Sequence, residues 1–209
     1  MQDAILFYTH PRSRGRIVRW MLEECGVPYR TEIVEYGPAM KEPAYLAINP
    51  MGKVPALVAA GRIVTETAAI CAFLADYCPE AGLAPKPAER ADYYRWLFFA
   101  AGPLEQAIIL KALGVRPSDE QRGFVGTTDI DRLADILDEA LADRDHIAGD
   151  AFSAADVYFG SQIGFGLQFG SLPSRPNIAA YWARLADRPA RLRAAAIDDA
   201  LIKDASPAS

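Results

Sequence analysis

The sequence predicts an α/β domain with a mixed four-stranded sheet, followed by an all-α domain. The first 78 residues alternate short β-branched and aromatic runs with helical patterns, in the order β-α-β-loop-β-β-α. After residue 88 the apolar residues recur at helical spacing. Residues 79–87 hold three prolines and one glycine, a composition typical of a linker. We therefore expect domains at residues 1–78 and 88–209, joined by a linker at residues 79–87.

A change of hydrophobic period predicts the first β-α-β unit. Residues 4–8 form a short apolar run, and residues 31–34 form a second strand-like run. Between them apolar side chains recur at i, i+3, i+4 and i+7, at Val18, Met21, Leu22 and Cys25. This spacing predicts one buried face of a helix that Gly26 can terminate. The connection is long enough for a right-handed parallel crossover.

The next two strands are predicted as an antiparallel hairpin. Residues 54–58 and 62–65 are β-rich runs separated by Ala-Ala-Gly, in which the glycine supplies the turn. A helix follows from about Thr67, with apolar side chains at helical spacing as far as Cys78. A parallel crossover and an antiparallel hairpin together make a mixed sheet.

The second part of the chain predicts helices at residues 88–112, 130–141, 154–168 and 177–187. Gly102-Pro103 predicts a kink in the first of them. Asp129 is expected to cap the second helix, and Ser153 with Asp156 has the spacing of a capping box. The tail from Asp204 has nothing to bury, so we expect it to fray.

Charge and cysteine content exclude several classes of function. The chain has 22 basic and 27 acidic side chains, a net charge of −5, and no long basic block. We therefore expect neither nucleic acid nor a membrane as a partner, and no apolar run approaches the roughly 20 residues of a membrane span. The amino end lacks the pattern of a secretory signal. Three cysteines without metal-ligand spacing predict a cytoplasmic protein with no metal.

Five segments, taken in order, carry a family resemblance: residues 7–8, 13–16, 49–57, 66–70 and 152–156. With these motifs the chain resembles the bacterial cytosolic glutathione S-transferases from residue 3 to about residue 200. The resemblance implies a thioredoxin-like first domain, an all-α second domain, and a homodimer. It also implies glutathione as co-substrate.

Val54-Pro55 opens the third predicted strand. A proline there removes one ladder donor, so the residues alone predict either an ordinary edge proline or a place where an extended peptide pairs with the chain. The resemblance implies a cis bond before Pro55 and glutathione paired with the N–H and C=O of Val54. It makes Lys41 and Lys53 candidates for the glycyl carboxylate, with a solvated lysine as the alternative for Lys41.

Glu66-Thr67 lies where a strand leads into a helix. Thr67 can cap that helix, first-turn N–H groups can bind a carboxylate, and Glu66 can accept an ammonium group. The alternative is an ordinary cap beside a solvated glutamate. The resemblance implies that both residues hold the glutamyl end of glutathione.

The catalytic donor is predicted in the loop after the first strand. Half-ionising a thiol at neutral pH takes about 2 kcal/mol, because its ordinary pKa is near 8.5. One hydrogen bond to a charged acceptor supplies about 1.5–3 kcal/mol, so one hydroxyl is sufficient. The resemblance favours Ser13 as this donor, with helix capping as its alternative role. Tyr8, Thr9 and His10 are the other candidates.

An enzyme cysteine is disfavoured as the nucleophile, since residues 8–16 contain none. Cys25 and Cys71 lie in predicted helices and are expected to be buried packing residues. Four arginines lie close together near the first helix, at Arg12, Arg14, Arg16 and Arg19. They are expected either to bind carboxylates of a ligand or partner subunit, or to form a solvated face.

The sequence thus predicts a glutathione transferase that activates the glutathione thiol for attack on a small hydrophobic electrophile, in detoxification. Phe98, Phe99 and Gln106 are candidates for the second-substrate pocket. One alternative is a non-catalytic interaction or regulatory protein of the same family. Another is a glutathione-dependent isomerase or dehalogenase.

Overall fold

The computed structural model describes residues 5–204, and for Asp204 the backbone alone. The chain divides into two compact units: residues up to 83 together with those from 188 onward, and residues 84–187. The helices are α1 (Gly15–Cys25), α2 (Pro43–Leu46), α3 (Thr67–Tyr77), α4 (Ala91–Phe99), α5 (Glu105–Ala112), α6 (Ile130–Leu141), α7 (Ala154–Gln168), α8 (Pro176–Ala186) and α9 (Pro189–Asp204). Within residues 5–204, none of these helices combines the length and apolar content that crossing a membrane requires.

A mixed four-stranded sheet forms the centre of the first unit, as predicted. Its strands are β1 (Ile5–Thr9), β2 (Tyr29–Ile33), β3 (Ala56–Ala59) and β4 (Arg62–Thr65), in the spatial order β2-β1-β3-β4. β1 and β2 are parallel and joined through α1, whereas β3 runs antiparallel to both β1 and β4. Ala4, which the prediction included in the first strand, lies outside the described residues.

The register of the sheet aligns three strand ends. Tyr8 of β1 lies opposite Ala56 of β3, and Ala56 lies opposite Thr65 of β4. Because β3 is antiparallel to its neighbours, β3 begins at the end of the sheet where β1 and β4 finish. The segments that follow β1, precede β3 and follow β4 therefore share one end of the sheet.

Helix α9 packs against α1 through ion pairs within the first unit. Arg19 Nε lies 2.8 Å from Asp198 Oδ1, and both side chains are 1% exposed. Arg16 Nη2 lies 2.7 Å from Asp199 Oδ1. The expectation that these arginines bind a ligand, bind a partner subunit or form a solvated face is wrong for Arg19. It is buried because a carboxylate of its own chain neutralises its charge.

The helices of the second unit follow the predicted pattern. α4 and α5 are joined by a π-helical turn at residues 100–104 that contains Gly102 and Pro103, so the regular α-helix is interrupted where the sequence predicted a kink. α6 begins after Asp129, whose carboxylate accepts the N–H of Arg132 at 3.0 Å, as a capping residue does. α7 spans the predicted residues, and the end of the chain from residue 205 lies outside the described part.

A buried carboxylate fixes the start of α7. Asp156 is 0% exposed and accepts four hydrogen bonds, from Ile147 N–H (2.8 Å), Tyr181 O–H (2.9 Å), Ser153 N–H (2.9 Å) and Ser153 O–H (3.1 Å). Burial raises the pKa of Asp156, while these donors oppose the increase. The capping box that the sequence predicts is therefore confirmed, and it extends to α8 through Tyr181.

Asp156→Asn is expected to lower the free energy of unfolding by about 2–4 kcal/mol, because an amide NH2 would face donors that now need an acceptor. Urea unfolding followed by circular dichroism measures the change. Asp129→Asn is the matched control at an exposed cap, where asparagine serves as well as aspartate. Equal losses in the two variants would contradict the role assigned to Asp156.

Candidate functional site

Three segments meet at the end of the sheet where β1 and β4 finish. They are the loop at residues 10–14, the pair Val54-Pro55 and the pair Glu66-Thr67, and they flank the row Tyr8–Ala56–Thr65. Two strand spacings separate the ends of this row, about 10 Å. An extended tripeptide also spans about 10 Å, so this end of the sheet matches its length.

The backbone of Val54 is open at this end. The bond between Val54 and Pro55 is cis, as the resemblance implied, and β3 begins only at Ala56. Within residues 5–204 neither the N–H nor the C=O of Val54 has a hydrogen-bond partner. The Val54 side chain packs against the small core formed by Val34, Met40 and Tyr45. A fixed residue with an open donor and acceptor can pair with an added extended peptide.

Asn49 holds the turn that leads to Val54. Its Nδ2 donates to the carbonyl of Lys53 at 2.8 Å, and its Oδ1 accepts the N–H of Met51 at 3.1 Å. The hydroxyl of Tyr45 donates to the same Lys53 carbonyl at 2.5 Å. The sequence alone predicted no individual role for Asn49 or Tyr45. The available signal was the Asn-Pro-x-Gly run, which is typical of a turn closed by an asparagine side chain.

Gly52 is required by the same turn. Its φ is +58°, and a Cβ there would overlap the carbonyl oxygen of Met40 and lie 2.7 Å from Lys41 Nζ. Lys41 Nζ donates to the carbonyls of Met51 (3.1 Å) and Gly52 (3.4 Å), so it already braces the turn. Lys53 has an exposed side chain. That either lysine binds a glycyl carboxylate stays a prediction.

Glu66 adopts a conformation that non-glycine residues rarely adopt. Its φ is +66°, which costs on the order of 1–3 kcal/mol, and its side chain is exposed. It occupies the N-cap position of α3 without a capping side-chain hydrogen bond, and α3 begins at Thr67. The expectation that Thr67 caps the helix is therefore wrong, because Thr67 is already helical.

The first turn of α3 consequently has open donors. Within the described residues, the N–H groups of Thr67, Ala68 and Ala69 have no hydrogen-bond partner, and the first bond of the helix runs from Ile70 N–H to the carbonyl of Glu66 (2.8 Å). Such N–H groups, together with the helix dipole, attract a carboxylate. The exposed Glu66 carboxylate beside them attracts an ammonium group.

Ser13 lies in a tight turn before α1. Its N–H and its hydroxyl both donate to the carbonyl of His10, at 2.9 and 2.7 Å, and its Oγ accepts the N–H of Gly15 at 2.9 Å. A Cβ on Gly15 would overlap Thr9 Oγ1, so only glycine fits there. Ser13 therefore accepts an N–H group at the start of α1, but the N-cap residue is Arg14, so Ser13 is not the helix-capping serine that the sequence offered as its alternative role. To donate to a bound sulfur its hydroxyl must turn away from His10.

The other candidate donors differ in their surroundings. Thr9 is 0% exposed, and its hydroxyl faces the carbonyl of His10 at 3.4 Å. His10 Nδ1 accepts the N–H of Arg12 at 3.2 Å, and its Nε2 lies 3.5 Å from Glu35. Tyr8 is half-buried, and within residues 5–204 its hydroxyl has no hydrogen-bond partner. Tyr8 is therefore the strongest alternative to Ser13.

The cysteines are structural. Cys71 and Cys78 are buried, Cys25 is half-buried, and all three are free thiols. Burial raises the pKa of the Cys25 and Cys71 thiols far above their ordinary value. The prediction of a buried packing residue is confirmed for Cys71, whereas Cys25 is only half-buried. Among the described residues, no three His, Cys, Asp or Glu side chains are arranged to hold a metal ion.

The predicted pocket residues belong to the second unit. Phe98 is 73% exposed, Phe99 is half-buried with its ring edge-on to Trp96 at 5.3 Å, and Gln106 is exposed on α5. Their contact with a second substrate stays a prediction.

The sheet and its open end define a thioredoxin-like protein with an edge suited to an extended peptide. Family models of the glutathione S-transferase N-terminal and C-terminal domains match residues 13–76 and 105–189. The chain is 29% identical to glutathione S-transferase 3 of Schizosaccharomyces pombe, over 93% of this chain and 88% of that protein. The chain belongs to the glutathione S-transferase family.

Two further relatives have names that indicate two different activities. A sphingomonad glutathione S-transferase solved with glutathione aligns with a TM-score of 0.75 and 30% identity, covering 93% of this chain and 98% of that one. The maleylacetoacetate isomerase of Pseudomonas aeruginosa is 31% identical over 82% of this chain and 86% of that protein.

Gly52→Ala is expected to weaken glutathione binding at least about tenfold, because both the positive φ and the overlap with Met40 force the turn before Val54 to move. Isothermal titration calorimetry measures the affinity. Gly61→Ala is the matched control: its φ is +70°, but a Cβ there meets open space in the β3–β4 turn. Equal affinities in the two variants would contradict the role of the turn.

Proposed function

We propose that this glutathione transferase binds glutathione along Val54 and Glu66-Thr67, ionises the thiol with the Ser13 hydroxyl, and directs the thiolate to a small hydrophobic electrophile. The observation that carries the proposal is the row Tyr8–Ala56–Thr65. It brings the loop that contains Ser13, an open peptide edge and an open helix start to one end of the sheet.

The charges at this end of the sheet are complementary to glutathione. The open N–H groups of α3 suit the γ-glutamyl carboxylate, and the exposed Glu66 carboxylate suits its ammonium group. The N–H and C=O of Val54 suit the backbone of the central cysteinyl residue. The glycyl carboxylate would then be bound by Lys41 or Lys53, since Lys41 has a third proton to donate beside its two bonds to the turn.

The hydrogen bond donated by the Ser13 hydroxyl becomes stronger when its acceptor changes from a carbonyl oxygen to a thiolate. In this structure it donates to the neutral carbonyl of His10. A hydrogen bond between neutral groups contributes about 0.5–1.5 kcal/mol and one to a charged group about 1.5–3 kcal/mol, so a thiolate competes well for the proton. The Gly15 N–H donated to Ser13 Oγ polarises the hydroxyl further. The hydroxyl thus favours the ionised sulfur without acting as a strong base.

The chemical step follows from the ionised sulfur. The thiol proton leaves to solvent, and a sulfur lone pair forms the new C–S bond at the electrophilic carbon. The electron pair displaced from that carbon leaves with a leaving group or enters an adjacent π system. The protein contributes positioning and stabilisation of the thiolate.

A glutathione-dependent isomerase is the second candidate, favoured by the similarity to the maleylacetoacetate isomerase. It uses the same thiolate, so assays of conjugation and of isomerisation with the same protein separate the two. The open peptide edge argues against a non-catalytic interaction protein. We also propose a cytoplasmic homodimer with a detoxifying role, supported by its three free cysteines and its family, and testable by light scattering and cell fractionation.

Ser13→Ala is expected to raise the pKa of the bound glutathione thiol by about 1–2, the equivalent of one hydrogen bond to a charged group. Thiolate absorbance of the complex, followed against pH, measures the change. Below the thiol pKa of the wild-type complex, kcat/KM for conjugation is expected to fall about 10- to 100-fold, and to recover as the pH rises through the higher pKa.

Tyr8→Phe and Thr9→Val are the controls, since each removes one hydroxyl at the end of β1. Both are expected to leave the thiol pKa unchanged. If Tyr8→Phe raises it and Ser13→Ala does not, the activating hydroxyl is that of Tyr8. If the wild-type protein does not bind glutathione, the assignment of the whole site is wrong.

A further inference from the structure

Arg16 links the Ser13 turn to the last helix of the chain. It lies in the first turn of α1, and its guanidinium makes two contacts in opposite directions. Nη1 donates to the carbonyl of Pro11 at 3.1 Å, and Nη2 pairs with Asp199 Oδ1 of α9 at 2.7 Å. All of these residues belong to the same compact unit.

The conformation of the turn before α1 depends on the hydrogen bond accepted by the Pro11 carbonyl. Pro11 lies between His10, whose carbonyl accepts both Ser13 bonds, and Ser13 itself. Proline has no N–H to donate, so the carbonyl is its hydrogen-bonding group. In the described part of the chain, Arg16 is the partner of that carbonyl. Displacing Arg16 therefore frees the peptide unit two residues before Ser13.

Asp199 orients the guanidinium group of Arg16. A guanidinium is planar and rigid, so a carboxylate bound at one nitrogen orients the other nitrogens. The side chains are 24% exposed for Arg16 and 56% for Asp199. An ion pair this exposed contributes little to stability. Its effect on the orientation of Arg16 can therefore be separated from its effect on folding.

The neighbouring pair holds Asp199 in place. Asp198 is buried against Arg19, which also donates to Thr31 Oγ1 at 3.1 Å and lies 5.3 Å from the Phe7 ring centroid. This contact anchors α9 one residue before Asp199. The position of Asp199 relative to α1 is consequently set by a buried contact rather than by its own exposed pair.

We propose that Arg16 and Asp199 are positioning residues that hold the Ser13 turn in the geometry needed for thiol activation, so that α9 is part of the activating apparatus. This inference rests on the proposed role of Ser13. Neither residue touches the substrate in this scheme; both act through the carbonyl of Pro11.

Asp199→Ala tests the proposal in the full-length protein. Without its carboxylate Arg16 turns to solvent, and we expect the pKa of bound glutathione to rise by about 0.5, a threefold loss of thiolate below that pKa. We expect kcat/KM for conjugation to fall about threefold at low pH and to recover at high pH. The Kd for glutathione is expected to change less than about twofold, and Asp199→Asn, which keeps an acceptor oxygen, to restore most of the loss.

Arg193→Ala is the matched control. Arg193 also lies on α9 and pairs with α1, with its Nε 3.1 Å from Glu23 Oε2, but Glu23 is near the opposite end of α1 from Ser13. Arg193→Ala is expected to lower the melting temperature about as much as Asp199→Ala does, and to leave the pKa of the bound glutathione thiol unchanged.

Two outcomes overturn the proposal. One is an unchanged thiol pKa in Asp199→Ala, and the other is an equal increase in Asp199→Ala and Arg193→Ala, which would reflect general loosening of α9. The proposed function fails separately, when the wild-type complex has no thiolate absorbance or Ser13→Ala leaves it unchanged.

Discussion

The register between β1, β3 and β4 is the constraint on which the candidate site depends. Phe7 and Leu57 pair across β1 and β3, and both are 0% exposed. A slip of one residue would turn Leu57 to the other face of the sheet, so burial of these two side chains fixes the register. The same register places Tyr8, Ala56 and Thr65 in one row. The hydrophobic core thus determines where the proposed peptide-binding edge lies, although neither Phe7 nor Leu57 belongs to the candidate site.

Around the row Tyr8–Ala56–Thr65, several backbone N–H and C=O groups of the described residues have no hydrogen-bond partner, although most such groups in folded proteins are paired. The N–H and C=O of Val54 and the first N–H groups of α3 lack partners in the described part of the chain, and Glu66 has a strained backbone. The adjoining turn is fully braced, by Asn49 and Lys41. Open groups on a rigid frame lower the entropy lost on binding, because the frame is ordered before the ligand arrives.

Local sequence patterns predicted most of the fold, because strand alternation, helical period and capping spacing are properties of neighbouring residues. The hairpin, the helix interruption at Gly102-Pro103 and the capping box of Asp156 were all readable in this way. Other features depend on long-range contacts or on a single dihedral angle. Asp198, the partner of Arg19, lies 179 residues further along the chain. The positive φ of Glu66 cannot be predicted from the types of the surrounding residues. The roles of Ser13 and Tyr8 remain predictions because both hydroxyls stand at the same strand end.

The packing of the three cysteines, of which Cys71 and Cys78 are buried and Cys25 is half-buried, has a consequence for their reactivity. A transferase that acts on small electrophiles, as we propose for this protein, would itself be exposed to them, and the reactive form of a cysteine is the thiolate. Burial raises the pKa of Cys25, Cys71 and Cys78, so these side chains stay protonated under conditions in which a bound substrate thiol would ionise. The packing of α1 against α3 thereby favours the less reactive, protonated form of Cys25 and Cys71.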